Sequence, residues 1–181
     1  MVMIRRAGPG DAAGMAAVHV ASWRSTYPGL LPDRYLVRLE PRLYAERWRR
    51  MLSDPRAGRG CFVAVDGPHV VGFAWCGPQR TRVEGYGGEF YAIYLLDHAQ
   101  GVGIGRRLMA AMAEDLVDRG HVSALVWVLR DNPSRFFYER LGGARVAEHP
   151  IAFAGAELTE TAYGWRDLIP LARLSAGPRV R

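Results

Sequence analysis

The residues whose types and spacing favour chemistry most clearly are residues 100–107, with the sequence Gln-Gly-Val-Gly-Ile-Gly-Arg-Arg. The alternate glycines Gly101, Gly103 and Gly105 clear side chains from one side of the backbone. Successive N–H groups can then approach an anion at the start of a helix, where the helix dipole is positive. Arg106 and Arg107 favour the same interpretation, because cations in a first helical turn oppose the dipole unless a negative ligand binds there. The segment predicts a pyrophosphate site, with a plain strand-to-helix turn as the alternative.

Two familiar phosphate-binding loops do not fit this spacing. A P-loop ends in Gly-Lys-Ser/Thr, and the chain contains no lysine. A Rossmann loop needs glycine at its sixth position, where this sequence has Arg106 or Leu108, depending on which glycine is counted first. Asp131, just after the next predicted strand, is similar to the acid that binds ribose in dinucleotide folds, so a nucleotide-binding protein stays open as an alternative. Too little chain follows to supply the strands of that fold.

Cysteine and histidine give no clear second site. Cys61 and Cys76 lie at the ends of apolar, strand-like runs with no histidine nearby in sequence to lower a thiol pKa. We expect both to stay protonated, unreactive and outside any disulfide. The five histidines lack metal-ligand spacing, so we expect them at the surface or in turns and predict no metal. His98 is singled out because it lies just before the glycine-rich loop.

Composition narrows the class of protein. The 181 residues carry a net charge of +6, and all 24 basic residues are arginines scattered along the chain. This pattern indicates a coding bias rather than the basic stripe that tracks nucleic acid, so no nucleic-acid partner is expected. No apolar run is long enough for a membrane span and no signal-like segment follows the N-terminus, so we expect a cytoplasmic protein with no membrane partner. The length predicts one domain, residues 1–171, and a loose tail, residues 172–181.

The elements that must position the loop alternate between strand and helix. Strands are predicted at residues 3–6, 61–65, 70–75, 90–96, 122–129, 145–148 and 160–165. Helices are predicted after Asp11, at 41–53, from the loop to Gly120, and at 133–141. The apolar run 90–96 is typical of a strand buried on both faces. Strand, loop, helix and strand then form a right-handed crossover between parallel neighbours, which predicts a mixed α/β domain.

The order Gln100, two residues, Gly103, one residue, Gly105 after a buried strand resembles the acetyl-CoA loop of the GNAT superfamily of N-acyltransferases. Asn132, the only asparagine in the chain, and Tyr138 on the following helix agree with that superfamily as well. Residues 23–32 and 163–165 are similar to its small-molecule branch, which includes phosphinothricin-type acetyltransferases. Residues 97 and 99 depart from its pattern beside the loop. The resemblance implies a central mixed sheet of about seven strands, splayed between the fourth and fifth, with about four flanking helices.

The resemblance also implies how acetyl-CoA binds as cosubstrate. The backbone of the fourth strand would bond the pantetheine arm like an added strand, and the N–H of Leu95 would polarise the acetyl carbonyl. Capping of the next helix is the alternative role of Asn132. The implied coenzyme contacts are Ile93, Tyr94, Leu95, Gln100, Gly101, Val102, Gly103, Ile104, Gly105, Arg106, Asn132 and Tyr138.

Direct attack of an amine on the thioester needs a base for the amine and an acid for the departing thiolate. Glu89, at the start of the fourth strand, is expected to take the proton directly or through water, with an ordinary solvated strand end as the alternative. Tyr138 is expected to protonate the thiolate, unless it is a core tyrosine packed with Phe137. Together with Leu95, these are the expected catalytic groups.

The acceptor is the least defined part of the prediction. Trp127 and Val128 occupy a region where the protein-acetylating branch often carries an acid, which favours a small-molecule amine. A protein amine, or a non-catalytic acyl-CoA sensor on the same fold, remains an alternative. Arg80 and Arg82 could bind a substrate carboxylate or simply be solvated. The final strand pair would offer a surface for a homodimer. The expected walls of the acceptor pocket are Trp23, Tyr27, Tyr91, Trp127 and Trp165.

Overall fold

One seven-stranded sheet runs through residues 1–175, the part of the chain that this computed structural model describes. The strands lie in the order β1-β2-β3-β4-β5-β7-β6, and each neighbouring pair is antiparallel except β4 and β5. The predicted mixed α/β fold is confirmed. The strands are β1 (Met3–Arg6), β2 (Cys61–Asp66), β3 (His69–Pro78), β4 (Gly88–Leu95), β5 (Ala124–Leu129), β6 (Ala144–Phe153) and β7 (Ala156–Trp165).

Helices cover both faces of the sheet. Alternate residues of β2 enter two separate cores: Phe62 and Ala64 pack in the core of α4, whereas Val63 packs in the core of α1 and α3. In α4, Leu108 and Met112 lie one turn apart and are fully buried, as expected for an amphipathic helix. The sequence patterns missed two single-turn helices, α2 and α6. The helices are α1 (Ala12–Thr26), α2 (Asp33–Leu36), α3 (Pro41–Ser53), α4 (Ile104–Asp118), α5 (Arg135–Arg140) and α6 (Ile169–Ala172).

The last hairpin is much longer than predicted. Residues 145–148 and 160–165 are only parts of β6 and β7, which pair from Ala144 opposite Gly164 to Phe153 opposite Ala156. The turn between them uses positive φ angles at Ala154 and Gly155, 53° and 81°. Many residues of this hairpin are polar or half-buried, so its apolar pattern is weak. Its outer half nevertheless forms a wall of the site described below.

A bulge in β4 opens the sheet. Trp75 pairs with Ala92 and Cys76 with Phe90, so Tyr91 is the extra residue. Bulges bend a strand and increase its twist. On the β5 side, β4 pairs only before the bulge, at Gly88 and Glu89. The expected splay between the fourth and fifth strands is therefore present, and the prediction that 90–96 is buried on both faces is wrong beyond Phe90, because the rest of the strand borders an open cleft.

The predicted tail begins with ordered structure. Ala172 ends α6, residues 173–175 form a 3-10 turn, and Leu174 packs against the core of α4. The other residues of that predicted tail, 176–181, lie outside the described part. None of the helices within residues 1–175 has both the length and the apolar character needed to cross a membrane.

Candidate active site

Backbone groups of β4 face the cleft at every second residue. The N–H of Leu96 donates to a carbonyl of β3 at 2.9 Å, so Leu96 and Tyr94 direct their backbone groups at β3. Ile93 and Leu95 alternate with them and face the cleft. Accordingly, the Leu95 carbonyl accepts a hydrogen bond from Ser22 Oγ of α1 at 3.0 Å. The backbone contacts predicted for Ile93 and Leu95 are thus sterically available, whereas Tyr94 can reach a ligand only with its side chain.

Two cavities open where β4 and β5 diverge. The first, of about 490 Å³, lies against the glycine-rich loop and is called the loop cavity here. The second, of about 470 Å³, is walled largely by aromatic rings and is called the aromatic cavity. Both are lined by Ile93, Tyr94 and Tyr138, so molecules bound in the two cavities would meet at these residues. The loop cavity is also lined by Ser22, Thr26, Leu95, Gln100, Gly101, Gly103, Gly105, Arg106, Pro133, Ser134, Phe137 and Arg140.

The loop presents unpaired N–H groups at the start of α4. Gly101 and Gly103 have φ angles of 75° and 87°, a left-handed conformation that favours glycine, and an added Cβ would meet nothing within 4 Å at either position. Gly105 differs, because a Cβ there would lie 3.3 Å from both Leu95 and Phe137. Within residues 1–175, the N–H groups of residues 101–106 have no hydrogen-bond acceptor. Such a row at a helix N-terminus is suited to an anion.

The two loop arginines have different positions. Arg106 lines the loop cavity, as does Arg140 of α5, which the sequence did not single out. Arg107 instead donates to the carbonyl of Val2 at 3.1 Å and anchors the N-terminal strand. Of the two arginines expected to bind an anion, only Arg106 therefore lies where it could do so.

Two of the predicted coenzyme contacts could act only through their backbone. The side chain of Val102 is exposed to solvent, and that of Ile104 is buried in the core. Neither residue lines the loop cavity. Their contribution to an anion site is limited to the N–H groups described above.

Asn132 stabilises the turn that leads into α5, which is close to the capping role that the sequence left as an alternative, but the N-cap residue itself is Ser134. The Asn132 Oδ1 accepts the N–H of Ser134 at 2.8 Å, just before α5 begins. The residue is buried, and it lines the aromatic cavity rather than the loop cavity. Its predicted contact with the coenzyme is therefore not supported by its position.

The aromatic cavity contains four of the five predicted acceptor walls: Trp23, Tyr27, Tyr91 and Trp127. Trp165 as a wall is wrong, because it is buried in the core, donates its indole N–H to the Leu141 carbonyl at 2.9 Å and packs edge-on against Phe90. The sequence missed the walls contributed by the long hairpin and by the segment before α2. These are Leu31, Ile151, Phe153 and Leu158.

Glu89 is a buried ionic group, not a solvated strand end. Its side chain is 2% exposed and lines the aromatic cavity. Arg80 engages both carboxylate oxygens: its backbone N–H donates to Oε2 at 2.9 Å, and its guanidinium donates to Oε1 at 2.6 Å and 3.2 Å. The guanidinium also lies 3.9 Å from the ring centroid of Tyr91. Arg82, with a φ of 57°, lines neither cavity.

Tyr138 lies at the junction of the cavities. It is 6% exposed, packs edge-on against Phe137 and lines both cavities, so its position allows the core packing and leaves its proton donation to the thiolate a prediction. Burial raises its pKa, and the nearby phenol of Tyr94 adds to the increase. The phenol therefore stays protonated near neutral pH, where its O–H is available as a hydrogen-bond donor.

The sequence patterns did not indicate the carboxylate–imidazole pair that lines the aromatic cavity. Glu160 of β7 and His149 of β6 are cross-strand neighbours, with Oε2 and Nε2 3.4 Å apart. The imidazole ring lies 4.1 Å from the ring centroid of Trp127. Burial raises the pKa of Glu160 above its ordinary value. The sequence predicted an antiparallel pair of strands here but ended the first strand at residue 148, so it did not place His149 opposite Glu160.

The other histidines and the cysteines are placed away from both cavities. His19 contradicts the expectation of a surface or turn residue, because it is buried among aromatic rings, and neither ring nitrogen has a hydrogen-bond partner within residues 1–175. His98 is exposed and lines neither cavity. Cys61 and Cys76 are buried and free, and burial raises the pKa of Cys61 to about 12. No group of three His, Cys, Asp or Glu side chains suited to a metal exists within residues 1–175.

Known proteins match the chain over this same region. The FR47-like protein family matches residues 79–150, which run from the end of β3 into β6 and build most of both cavities. The uncharacterized N-acetyltransferase YuaI of Bacillus subtilis (strain 168) is 43% identical over 175 residues, 96% of this chain and 98% of that protein. The chain belongs to the GNAT family of N-acetyltransferases.

A more remote relative in sequence and one in structure also match the chain. The mycothiol acetyltransferase of Streptomyces bingchenggensis (strain BCW-1) is 34% identical over 138 residues, 76% of this chain and 40% of that protein. The PaiA N-acetyltransferase of Thermoplasma acidophilum, solved in complex with coenzyme A, aligns with a TM-score of 0.66 at 17% identity, covering 89% of this chain and 98% of that one. At this identity the likeness shows the fold alone, and that fold is the expected one.

Proposed function

We propose that this GNAT protein transfers the acetyl group of acetyl-CoA to the primary amine of a small molecule by direct attack. The observation that carries the proposal is the meeting of two cavities at Ile93, Tyr94 and Tyr138. One cavity offers a row of unpaired N–H groups for a diphosphate, and the other offers aromatic walls and carboxylates for an amine. The coenzyme A bound to PaiA supports the choice of cosubstrate.

The loop cavity suits the long, anionic coenzyme. The N–H groups of residues 101–106 would bind the diphosphate, with Arg106 and Arg140 adding positive charge. Backbone groups of Ile93 and Leu95 would hydrogen-bond the pantetheine arm in the gap left by the splay. The N–H of Leu95 would then donate to the carbonyl oxygen of the thioester as negative charge develops on it.

Proton transfers need a base on the amine side and an acid on the thiol side. Glu89 lines the aromatic cavity and would take the amine proton, directly or through water. Tyr138 touches both cavities, and its raised pKa keeps it protonated until the thiolate departs. Since both thiols are buried, and burial raises the pKa of each, a covalent cysteine intermediate is disfavoured.

Two alternatives share this fold. A protein amine would need the aromatic cavity to admit a peptide, and a sensor would bind acetyl-CoA without turnover. The enclosed aromatic walls favour a small acceptor over a peptide. The cytoplasmic location and the homodimer expected from the sequence remain predictions.

Turnover distinguishes these functions. Purified protein is incubated with acetyl-CoA and a panel of small amines and peptides, and free thiol is followed together with the mass of each acceptor. The proposal expects a gain of one acetyl group on at least one small amine and a much slower reaction with peptides. Coenzyme binding without turnover of any acceptor would point to a sensor and overturn the proposal.

A further inference from the structure

The aromatic cavity offers almost no fixed positive charge. Of its 22 lining residues, Arg80 is the only one with a permanent cation. That guanidinium is already bound to Glu89 through two hydrogen bonds and stacked on Tyr91. A second negative group entering the cavity would therefore find no free cation among the residues that line it.

Glu160 adds negative charge that lacks a permanent counterion. Its side chain is 27% exposed, against 2% for Glu89, so a bound molecule can reach it. Its partner, His149, carries charge only when it is protonated. Burial is the main cause that raises the pKa of Glu160; the charge of Glu89 raises it further, whereas His149 and the charge of Arg80 lower it. The cavity is thus net negative whenever His149 is neutral.

The remaining surface is apolar and aromatic. Trp23 of α1 lies 6.0 Å, ring to ring, from Phe153 at the tip of the long hairpin, and Trp127 of β5 is held by a hydrogen bond from its indole N–H to Thr81 Oγ1 at 3.0 Å. Rings fixed in this way can pack against an apolar body, and their faces attract cations. The negative charge of the cavity and its aromatic walls both favour a cation attached to an apolar body.

From these features we propose that the acceptor is a primary amine with an apolar, preferably aromatic, body and without a carboxylate. Glu160 acts as the specificity-determining residue: it attracts the ammonium and repels the carboxylate that an amino acid would bring. This rests on the proposed function, and it excludes the substrate carboxylate that Arg80 and Arg82 could have bound according to the sequence. A carboxylate held in this cavity would lose water without gaining a free counterion, so discrimination by about 100-fold or more is expected.

The test compares amines that differ only in the carboxylate. Acetyl transfer is measured for tyramine against tyrosine, tryptamine against tryptophan, and isoamylamine against leucine, with tyrosinamide as a neutral molecule of nearly the same bulk as tyrosine. We expect kcat/KM to be at least about 100-fold higher for the amines without a carboxylate. Tyrosinamide should recover most of the loss seen with tyrosine, because the loss comes from charge and not from size.

A variant separates specificity from catalysis. Glu160→Gln should lower kcat/KM for tyramine and raise it for tyrosine, so that the ratio between them falls at least about tenfold. Glu157→Gln, an exposed glutamate on the same strand that does not line the cavity, should leave the ratio unchanged.

The results distinguish failure of this inference from failure of the proposed function. Equal or faster turnover of the amino acids, or an unchanged ratio in Glu160→Gln, overturns the inference and leaves the proposed acetyltransferase function intact. Absence of acetylation of every amine, while coenzyme A still binds, overturns the proposed function and the inference with it.

Discussion

Replacing His19 tests how the core beneath the site responds to acid. His19 is 8% exposed, and its ring centroid lies 4.2 Å from that of Tyr44 and 5.1 Å from that of Tyr94. Burial, assisted by the charge of Arg47, lowers its pKa from 6.5 to about 4. The folded protein therefore holds a neutral imidazole at a pH where the unfolded chain would protonate it. His19→Phe removes the titration and keeps a ring in the cluster.

The size and sign follow from proton linkage. Stability from the neutral His19 is fully present above pH 6.5 and is lost progressively as the pH falls toward 4, because only the unfolded state gains the proton in that interval. The full loss corresponds to about 3 kcal/mol, at about 1.4 kcal/mol for each pH unit. At pH 5 the loss should be about 2 kcal/mol, a large part of a typical free energy of unfolding of about 5–15 kcal/mol.

Urea unfolding at pH 7 and pH 5, followed by circular dichroism, measures this difference. The natural sequence should lose about 2 kcal/mol more than His19→Phe between the two pH values. The exposed His69 provides a control, since His69→Gln should keep the full loss. Equal losses in the natural sequence and His19→Phe would refute the reasoning and indicate that the surrounding ring faces stabilise the imidazolium.

Three further predictions concern the site. Tyr138→Phe should lower kcat about 100-fold or more while the Kd of coenzyme A changes less than about threefold. Tyr163→Phe is the control, because it deletes another phenol of the same core, and it should leave kcat within about threefold. Similar losses of kcat in both variants would assign Tyr138 a packing role. Gly103→Ala and Gly120→Ala, at φ angles of 87° and 84° at opposite ends of α4, should each cost about 1 kcal/mol of stability in thermal unfolding. Only Gly103→Ala should weaken coenzyme A binding in calorimetry, and equal affinities for the two variants would argue against the loop as the anion site. Glu89→Gln should lower kcat about 100-fold while the Kd of coenzyme A changes less than about threefold, whereas a kcat within about threefold of the natural value would mean that another group is the base.

Local sequence was sufficient for the parts of the site that lie close together along the chain. Residues 100–107 predicted a helix N-terminus with free N–H groups because glycine spacing and helix geometry are local properties. The splay followed from the resemblance rather than from the apolar pattern, which wrongly indicated a fully buried strand at 90–96. The bulge at Tyr91 changes the register without leaving a clear pattern in the sequence.

The missed parts depend on contacts between distant segments. His149 and Glu160 meet only when β6 and β7 pair in the observed register, and the first strand predicted from the sequence ended at residue 148, one residue short of His149. His19 occurs at a helical position with ordinary neighbours, and its burial follows from packing of α1 against α3 and the sheet. Arg107 was predicted to be a second anion ligand because it follows Arg106 in the first turn of α4. Its actual contact with Val2 joins residues far apart in sequence, so the local pattern did not indicate it.

Titration of coenzyme A into the purified protein in a calorimeter addresses the central claim most directly. If the N–H groups of residues 101–106 bind the diphosphate beside the splayed strands, coenzyme A should bind with a one-to-one stoichiometry and NAD should give no heat of binding. A flat titration with coenzyme A, or saturable heat with NAD in its place, would contradict the assignment of this cavity to the acetyl donor.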